Sequence, residues 1–320
     1  MTINCPFCHS LQTQYQWNTI DVYQNKWDLY RCESCGFYFL EPFPTDEQLA
    51  KAYADDYYGT GEKKFKFPLI EKVLDYFRSH RARMLNKILQ GKKHSNVLDI
   101  GCGNGHFLNY LHRLGYTKLY GIELSGNSAE RAKKYEHLNI QIGSVENATY
   151  ENGSFDAITM FHVLEHTKNP LLVLNKVYLW LKSGGVFVVS FPNIASRQAQ
   201  KYQGYWLHLD PPRHLNFIKP HDFVLLMQKY GFELLKQGYF SAEQNPFGYV
   251  QSKLNRKAPK RELLFESFKG NKSYLNGVPK GILWYQRFYF FIAMPFYFWV
   301  DMIESWQKKS GTVIFVFKKQ

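Results

Sequence analysis

NVLDIGCGNGHFLNYLHRLG, residues 96–115, is the stretch that decides the fold. It combines a short apolar run, a turn with three glycines and the start of an amphipathic helix. Val97, Leu98 and Ile100 predict a buried strand, and the helix is expected from His106 onward. Because glycine has no Cβ, glycines at alternate positions of the turn let a ligand approach the backbone closely. The segment therefore predicts a strand, a ligand-binding loop and a helix in that order.

The spacing of these glycines distinguishes two classes of nucleotide-binding unit. A nicotinamide or flavin fingerprint requires a glycine at the sixth position from Gly101, where this chain has His106. The spacing G-x-G-x-G, with an aspartate two residues earlier, resembles motif I of the class I S-adenosylmethionine-dependent methyltransferases instead. That resemblance implies S-adenosylmethionine as the methyl donor. The implied donor-binding residues of this segment are Asp99, Gly101, Cys102, Gly103 and Gly105.

The strands that follow agree with this family. KLYGIELS predicts a second strand whose end carries Glu123, where a carboxylate accepts both ribose hydroxyls of a nucleoside, with Leu124 beside it. NIQIGSVEN predicts a third strand, and Ser144 and Val145 stand in the turn where the family usually has an acidic residue near the adenine. SFDAITMFHVLEH predicts the fourth strand, which ends near Phe161 as a further donor contact.

Three later segments complete the predicted sheet. GGVFVVSFPN, GFELLKQGYF and GTVIFVFKK are the fifth, sixth and last strands, with helices between them. The fold class is therefore α/β, a doubly wound Rossmann-like seven-stranded methyltransferase sheet. Its ligand is expected at the carboxyl ends of the strands.

The loop after the fourth strand, FHVLEHTKNP, concentrates groups that transfer protons or bind metals. Histidine titrates near neutral pH, so His166, His214 and His162 are the candidate bases that deprotonate the acceptor, with Glu165 beside them. A divalent metal held by these four side chains is an alternative, because a related segment binds an ion in some quinone and small-RNA methyltransferases. A purely structural role, capping the helix that begins near Asn169, is the third reading.

A second resemblance concerns the acceptor. The LEH segment, together with GYWLHLDPPRHLNFIKPHDF at residues 204–223, resembles a methyltransferase group often encoded with surface-polysaccharide genes. With motif I, these matches cover about residues 96–238. The resemblance implies a sugar hydroxyl or related small acceptor, free or lipid-linked, in glycan or glycolipid synthesis. The alternatives are a quinone-type small-molecule O-methyltransferase and, from another class, an RNA methyltransferase or RNA-binding protein.

The DPPRHL block leaves further alternatives open. Arg213 either grips an acceptor phosphate with its two-pronged guanidinium group or pairs internally with Asp210. Trp206 and Tyr205 either stack on a sugar ring of the acceptor or only fill space in the lid of the site.

Four of the five cysteines form two Cys-x2-Cys pairs near the N-terminus. Cys5 with Cys8, and Cys32 with Cys35, are separated by strand-like aromatic sequence, the pattern of a structural zinc ribbon. The alternative of disulfide or reactive cysteines fits poorly with a reducing cytoplasm. The segment before Cys5 lacks the apolar core of a signal peptide, so the sequence favours a cytoplasmic location.

The chain is expected to divide into five segments. A zinc ribbon spans residues 1–45, a linker and covering helix spans 46–92, and the donor-binding domain spans 93–250. A basic and aromatic helical insertion spans 251–310, and the last strand of the sheet spans 311–320.

The net charge of +13 is concentrated at the C-terminal end. From residue 251 onward there are 13 Lys and Arg but only 4 Asp and Glu, beside a run of 13 uncharged, mainly aromatic residues at 288–300. That run is shorter than the roughly 20 residues that span a bilayer. We expect either peripheral association with an anionic membrane surface or an aromatic cap buried on the sheet or in a dimer. No aromatic RNA-binding signature accompanies the charge, which argues against nucleic acid as the partner. The sequence does not determine the oligomeric state.

Overall fold

The computed structural model describes residues 3–53 and 68–320, with side chains described from residue 75 in the second range. The chain forms two compact units. The ribbon unit contains the described residues up to Tyr53, then Pro192–Phe223 and Gly238–Val313. The sheet unit contains Pro68–Phe191, Val224–Gln237 and Ile314–Gln320.

The ribbon unit begins with an antiparallel sheet. Its strands are β1 (Thr13–Ile20), β2 (Lys26–Cys32), β3 (Phe37–Glu41) and, from much later in the chain, β9 (Asn216–Ile218). Strand β9 pairs with β3 through Phe37–Ile218 and Phe39–Asn216. Because β9 belongs to the DPPRHLNF block, that block forms part of the ribbon sheet, a pairing that the sequence did not predict.

Helices complete the ribbon unit. They are α1 (Asp46–Ala52), α6 (Arg197–Tyr202), α8 (Asn245–Asn255), α9 (Leu263–Lys269), α10 (Lys272–Leu275) and α11 (Lys280–Trp306). Thr45 caps α1 in a capping box with Gln48. Within the predicted linker and covering helix at 46–92, residues 54–67 lie outside the described residues.

The sheet unit carries the α/β sheet. Its strands are β4 (Val97–Ile100), β5 (Leu119–Glu123), β6 (Asn139–Ile142), β7 (Phe155–Phe161), β8 (Leu181–Pro192), β10 (Phe232–Gly238) and β11 (Thr312–Lys319). They are arranged in the order β10-β11-β8-β7-β4-β5-β6. Strand β4 pairs in parallel with both β5 and β7, which brings the carboxyl ends of the three strands to one edge. The predicted seven-stranded Rossmann-like fold is confirmed.

The helices of this unit are α2 (Pro68–Ile88), α3 (His106–Arg113), α4 (Asn127–Lys133), α5 (Pro170–Trp180) and α7 (Pro220–Lys229), the last of which begins in the ribbon unit. Ala82 and Leu85 of α2 pack in one buried cluster with Phe107 and Leu111 of α3, as expected for a covering helix. The side chains of α2 are described from Asp75 onward.

No helix in the described part of the chain is long and apolar enough to cross a membrane.

Candidate active site

The glycine turn after β4 is held open by backbone geometry. Gly101 and Cys102 both donate their N–H groups to the carbonyl of Ile122, at 2.8 and 3.1 Å, which ties the turn to β5. Gly103 has a φ of +55°, and a Cβ added there would meet nothing within 4 Å. The space over Gly103 is therefore available to a ligand, and the left-handed backbone disfavours any larger residue.

Gly101 makes the closest approach in the turn. Its φ is +73°, and a Cβ at this position would lie 2.3 Å from Cγ2 of Val163. Val163 follows β7, so the loop carrying the histidines packs directly against the glycine turn after β4, here called the donor loop. Only glycine permits this contact, and no local sequence pattern predicts it.

Glu123 lies at the end of β5 beside the turn. Its Oε2 accepts the Gly103 N–H at 2.7 Å, and its side chain is buried. Burial raises the pKa of Glu123, opposed by the N–H groups of Gly103 and Leu124. A carboxylate anchored on the donor loop suits the predicted ribose contact.

Asp99 is the second buried carboxyl group here. Its Oδ1 accepts the Thr159 hydroxyl at 2.6 Å. Burial raises the pKa of Asp99; with the opposing hydrogen bond from Thr159 and the smaller raising effect of the Glu123 charge, the resulting pKa is about 7. Thr159, which the sequence analysis did not select, thus positions a predicted donor residue.

The remaining predicted donor contacts surround the same edge. The Cys102 thiol occupies the space beside Gly121, where an added Cβ would lie 2.7 Å from its sulfur. The turn after β6 is tied to β5, since Gly143 donates to the Glu123 carbonyl at 2.9 Å. In that turn Val145 is buried, and the Ser144 carbonyl accepts two following N–H groups. Leu124 is exposed.

Phe161 ends β7 within an aromatic and cationic environment. The Arg81 guanidinium carbon lies 5.2 Å from the centre of its ring, and the Phe107 ring meets it edge to face at 5.3 Å. Arg81 comes from the covering helix α2 and was not selected from the sequence, because nothing local marks a cation on a long amphipathic helix as part of a site.

His162 and Glu165 form a pair immediately after β7. His162 has a φ of +55°, unusual for a residue with a side chain, and its N–H donates to the Ser190 carbonyl at 2.9 Å. Its Nδ1 lies 3.3 Å from Oε1 of Glu165, whose side chain is only 1% exposed. Glu165 and the half-buried His166 both lie in the short 3₁₀ turn Leu164–His166.

This pair has a defined chemical capacity. The Glu165 carboxyl group beside Nδ1 of His162 favours the ring form that carries its proton on Nδ1, and in that form Nε2 has a lone pair that can accept a proton. Such a ring is a general base oriented by a carboxylate. Strained backbone at His162 is consistent with a constrained functional position.

The third candidate base, His214, belongs to the ribbon unit. Its Nδ1 lies 2.6 Å from the His208 carbonyl oxygen, and its ring is buried. Nε2 lies 3.8 Å from Oδ2 of Asp210.

For Arg213 and Trp206 the structure supports the internal role among the two alternatives that the sequence left open. Nε and a terminal nitrogen of Arg213 both donate to the carboxylate of Asp210, and Arg213 is 5% exposed. The guanidinium group of Arg213 is therefore engaged in an internal ion pair and does not face a phosphate site. Trp206 is fully buried and donates to Oε1 of Gln198 at 3.1 Å, so it is a core residue and not a sugar platform. Tyr205 is exposed.

The four N-terminal cysteines converge in the ribbon unit. The sulfurs of Cys5 and Cys35 are 3.7 Å apart, those of Cys8 and Cys32 are 3.6 Å apart, and all four lie within 4.8 Å of one another. Four thiolates around Zn²⁺ at Zn–S distances near 2.3 Å are separated by about 3.8 Å. The cluster therefore has the size and donor set of a structural zinc site. The hydrogen bond with Cys35 lowers the pKa of Cys5 to about 5.

Comparison with known proteins agrees with the geometry. The family model described as "Methyltransferase domain" matches residues 70–237, more than half of the chain. The chain belongs to this methyltransferase family. The combination of family match and Rossmann-like sheet identifies an S-adenosylmethionine-dependent methyltransferase of class I.

Two curated relatives of this methyltransferase have the same name. A "Ubiquinone biosynthesis O-methyltransferase" of Nitrosococcus oceani is 32% identical over 203 residues, which are 59% of this chain and 79% of the relative. A protein of the same name from Xanthomonas campestris pv. campestris is 32% identical over 105 residues, 31% of this chain and 44% of the relative. The chain thus spans most of the first relative and less than half of the second.

Among solved structures, the cyclase SpnF superposes with a TM-score of 0.51 at 15% identity, covering 75% of this methyltransferase and 80% of SpnF. Identity this low shows the shared fold alone. The fold therefore supports the identification of the donor domain and carries no information on the acceptor.

Proposed function

We propose that this protein transfers the methyl group of S-adenosylmethionine to a hydroxyl oxygen of a quinone-type small molecule, with His162 as the base. The observation that carries the proposal is the contact between His162 and the buried Glu165 on a loop whose Val163 rests on Gly101. A base oriented in this way stands next to the loop expected to hold the donor.

The donor residues fit this role. Glu123 and the open, left-handed Gly103 provide a carboxylate and an unobstructed backbone at one edge of the sheet. The donor supplies an electrophilic methyl carbon on a positively charged sulfur. Glu123 would hold the ribose hydroxyls, and the buried Asp99 would contribute negative charge close to the cation.

Nε2 of His162 takes the proton of the acceptor hydroxyl as the oxygen lone pair forms a bond to the methyl carbon. Bound S-adenosylmethionine would supply the methyl carbon, and its methyl–sulfur bond would break with the electrons left on sulfur, giving S-adenosylhomocysteine and the methyl ether. The negative charge of Glu165 stabilises the imidazolium that forms, because a charge buried beside it is poorly screened. His166 and His214 are the alternative bases, and chelator-sensitive activity restored by Mg²⁺ or Mn²⁺ would instead indicate a divalent metal at this loop.

The acceptor class rests on the relatives. Their name specifies an O-methyltransferase of ubiquinone synthesis, which supports the quinone-type alternative over the glycan reading. The internal engagement of Arg213 and the burial of Trp206 remove two contacts that the glycan reading used. The quinone-type acceptor is therefore the better supported one.

We also propose that Cys5, Cys8, Cys32 and Cys35 hold one structural zinc ion. Their four sulfurs provide a complete ligand set. Cys32 is the last residue of β2, and Cys35 follows that strand. The ion would fix the turns that begin the ribbon sheet.

An acceptor panel tests the function directly. The protein is incubated with S-adenosylmethionine and either a catechol or hydroxyquinol, a nucleotide sugar, or a short RNA, and the methylated product is identified by mass spectrometry. We expect a methyl ether of the phenolic acceptor. Methylation of the sugar or RNA alone would overturn the proposed acceptor class while preserving the donor assignment.

A further inference from the structure

Helix α11 buries polar residues and exposes apolar ones, which is the reverse of an ordinary surface helix. Its polar residues Gln286, Asp301 and Glu304 face the interior of the ribbon unit and are buried. Its outward face is formed by large apolar side chains, each more than 40% exposed: Trp284, Tyr285, Phe288, Phe291, Ile292, Phe296, Trp299, Met302, Ile303 and Trp306. Surface helices of water-soluble units normally show the opposite arrangement.

Polar contacts fix this orientation. Oε1 of Glu304 accepts the Tyr249 hydroxyl at 2.5 Å, and Oδ2 of Asp301 accepts the Ser241 N–H at 3.2 Å. The Tyr297 ring stacks on Tyr249 at 4.8 Å. Turning the aromatic side inward would break these bonds and leave buried polar groups unpaired, which is costly. The apolar face is therefore built to point away from the unit.

The charges around this face have one sign. Both carboxylates of α11, Asp301 and Glu304, are buried on the opposite side. Lys280 at the start of the helix, and Lys308 and Lys309 just beyond its end, are exposed. A contiguous apolar face with cations at both ends complements a surface that is apolar inside and anionic outside.

The dimensions fit a helix lying in the plane of a bilayer. Residues 284–306 extend over about 33 Å at 1.5 Å per residue. Phe290, Phe291, Met294, Pro295 and Phe298 line an open apolar groove of about 380 Å³ on this helix. Pro295 has no N–H, so the Phe291 carbonyl lacks its helical donor. Water can satisfy that carbonyl at headgroup depth, whereas the hydrocarbon centre cannot.

We propose that α11 is a membrane-docking helix whose outward face inserts into the headgroup region of an anionic lipid bilayer. A second copy of the chain is the other conceivable occupant of this face. In a side-by-side pairing of two copies, however, the lysines at the helix ends would meet lysines, and the face has no carboxylate to balance them. Lipid phosphates supply that balance. This inference does not depend on the proposed acceptor.

Tryptophan fluorescence tests the proposal on the unaltered protein. Of the seven tryptophans, the three on α11 are 68, 63 and 86% exposed, and the others are buried or packed against the core. Adding phosphatidylglycerol vesicles should shift the emission to the blue and protect it from aqueous iodide. Lipids brominated on the acyl chains near the headgroup should quench it. Unchanged emission and unchanged iodide quenching would overturn the proposal.

A set of variants assigns the binding to this face. Phe291, Phe296 and Trp299 are the best side chains to replace by Ser, since Phe290 packs against Phe268 in the core. In vesicle flotation, we expect partitioning to fall at least 100-fold, which is about 2.8 kcal/mol at 1.4 kcal/mol per tenfold. The matched control replaces Leu11, Leu225 and Leu235, three exposed side chains outside α11, by Ser and should leave partitioning unchanged.

Salt and lipid composition separate the two components of binding. Partitioning should be at least tenfold weaker on pure phosphatidylcholine, and high salt should weaken it only partly, because the apolar contribution is not screened. Cysteine-bound zinc and donor affinity serve as controls for correct folding of each variant.

Two outcomes would overturn the membrane assignment. One is partitioning of the triple variant equal to that of the unaltered protein. The other is a protein that ignores vesicles and sediments as a concentration-dependent dimer that the triple variant abolishes, which would make the face an interface between copies.

Discussion

Replacing Gly101 by Ala should disturb the site through a single steric contact. The φ of +73° alone costs a residue with a Cβ about 1–2 kcal/mol. The added methyl would also lie 2.3 Å from Cγ2 of Val163, and overpacking of this kind costs about 1–3 kcal/mol. The variant should therefore lose about 2–5 kcal/mol of local stability and bind S-adenosylmethionine weakly.

A second substitution separates the two contributions. Val163→Ala removes the clashing carbon, so the double variant should recover the overpacking part while the backbone strain remains. Gly153→Ala is the matched control, because Gly153 has a φ of +68° but nothing within 4 Å of the added Cβ. Gly153→Ala should therefore lose only the stability that the left-handed backbone costs.

Hydrogen exchange of amides in β4 and β7 measures the local free energy of opening, and calorimetry measures donor affinity. The reasoning is refuted if Gly101→Ala costs no more than Gly153→Ala. It is equally refuted if Val163→Ala restores nothing, since the loop after β7 would then not rest on the donor loop.

Three further predictions address the donor and metal residues. Glu123→Ala should weaken S-adenosylmethionine binding by about 10- to 100-fold, through loss of charged hydrogen bonds, and unchanged affinity by calorimetry would remove the ribose assignment. Burial raises the pKa of Asp99 to about 7, so its protonated form predominates below that pH. Because the cationic donor favours the deprotonated form of Asp99, the affinity for S-adenosylmethionine should rise by up to about 20-fold from pH 5.5 to 7.5. The affinity of Asp99→Asn should not change over this range. Cys5→Ser should abolish stoichiometric zinc and lower the thermal stability of the ribbon unit, whereas a zinc-free unaltered protein purified under reducing conditions would contradict the metal site.

The sheet and donor loop could be predicted because their signals are local. Apolar strands, alternating glycines and a helix start occur within a single run of residues, and the same is true of each Cys-x2-Cys turn. The position of Glu123 could be predicted because it is the last residue of β5, the next strand in the sequence after the glycine turn. These features depend on near neighbours, so the sequence contains most of the information.

The features that could not be predicted depend on distant contacts. The pairing of β9 with β3 joins residues about 180 positions apart, and no periodicity encodes that register. The contact of Gly101 with Val163 depends on how two loops meet in space. The aromatic run at 288–300 was visible, but only the structure shows which of its side chains face outward and which pack into the core.

The central claim, that His162 oriented by Glu165 deprotonates the acceptor, is tested most directly by single-turnover methyl transfer from isotopically labelled S-adenosylmethionine. For His162→Gln we predict a loss of at least 100-fold in the transfer rate, in the range typical of a general base, with donor affinity within twofold of the unaltered protein. Glu165→Gln should lose less, because it orients the base without taking the proton. His162→Gln transferring at the unaltered rate, or a comparable loss confined to His166→Gln or His214→Gln, would contradict the assignment.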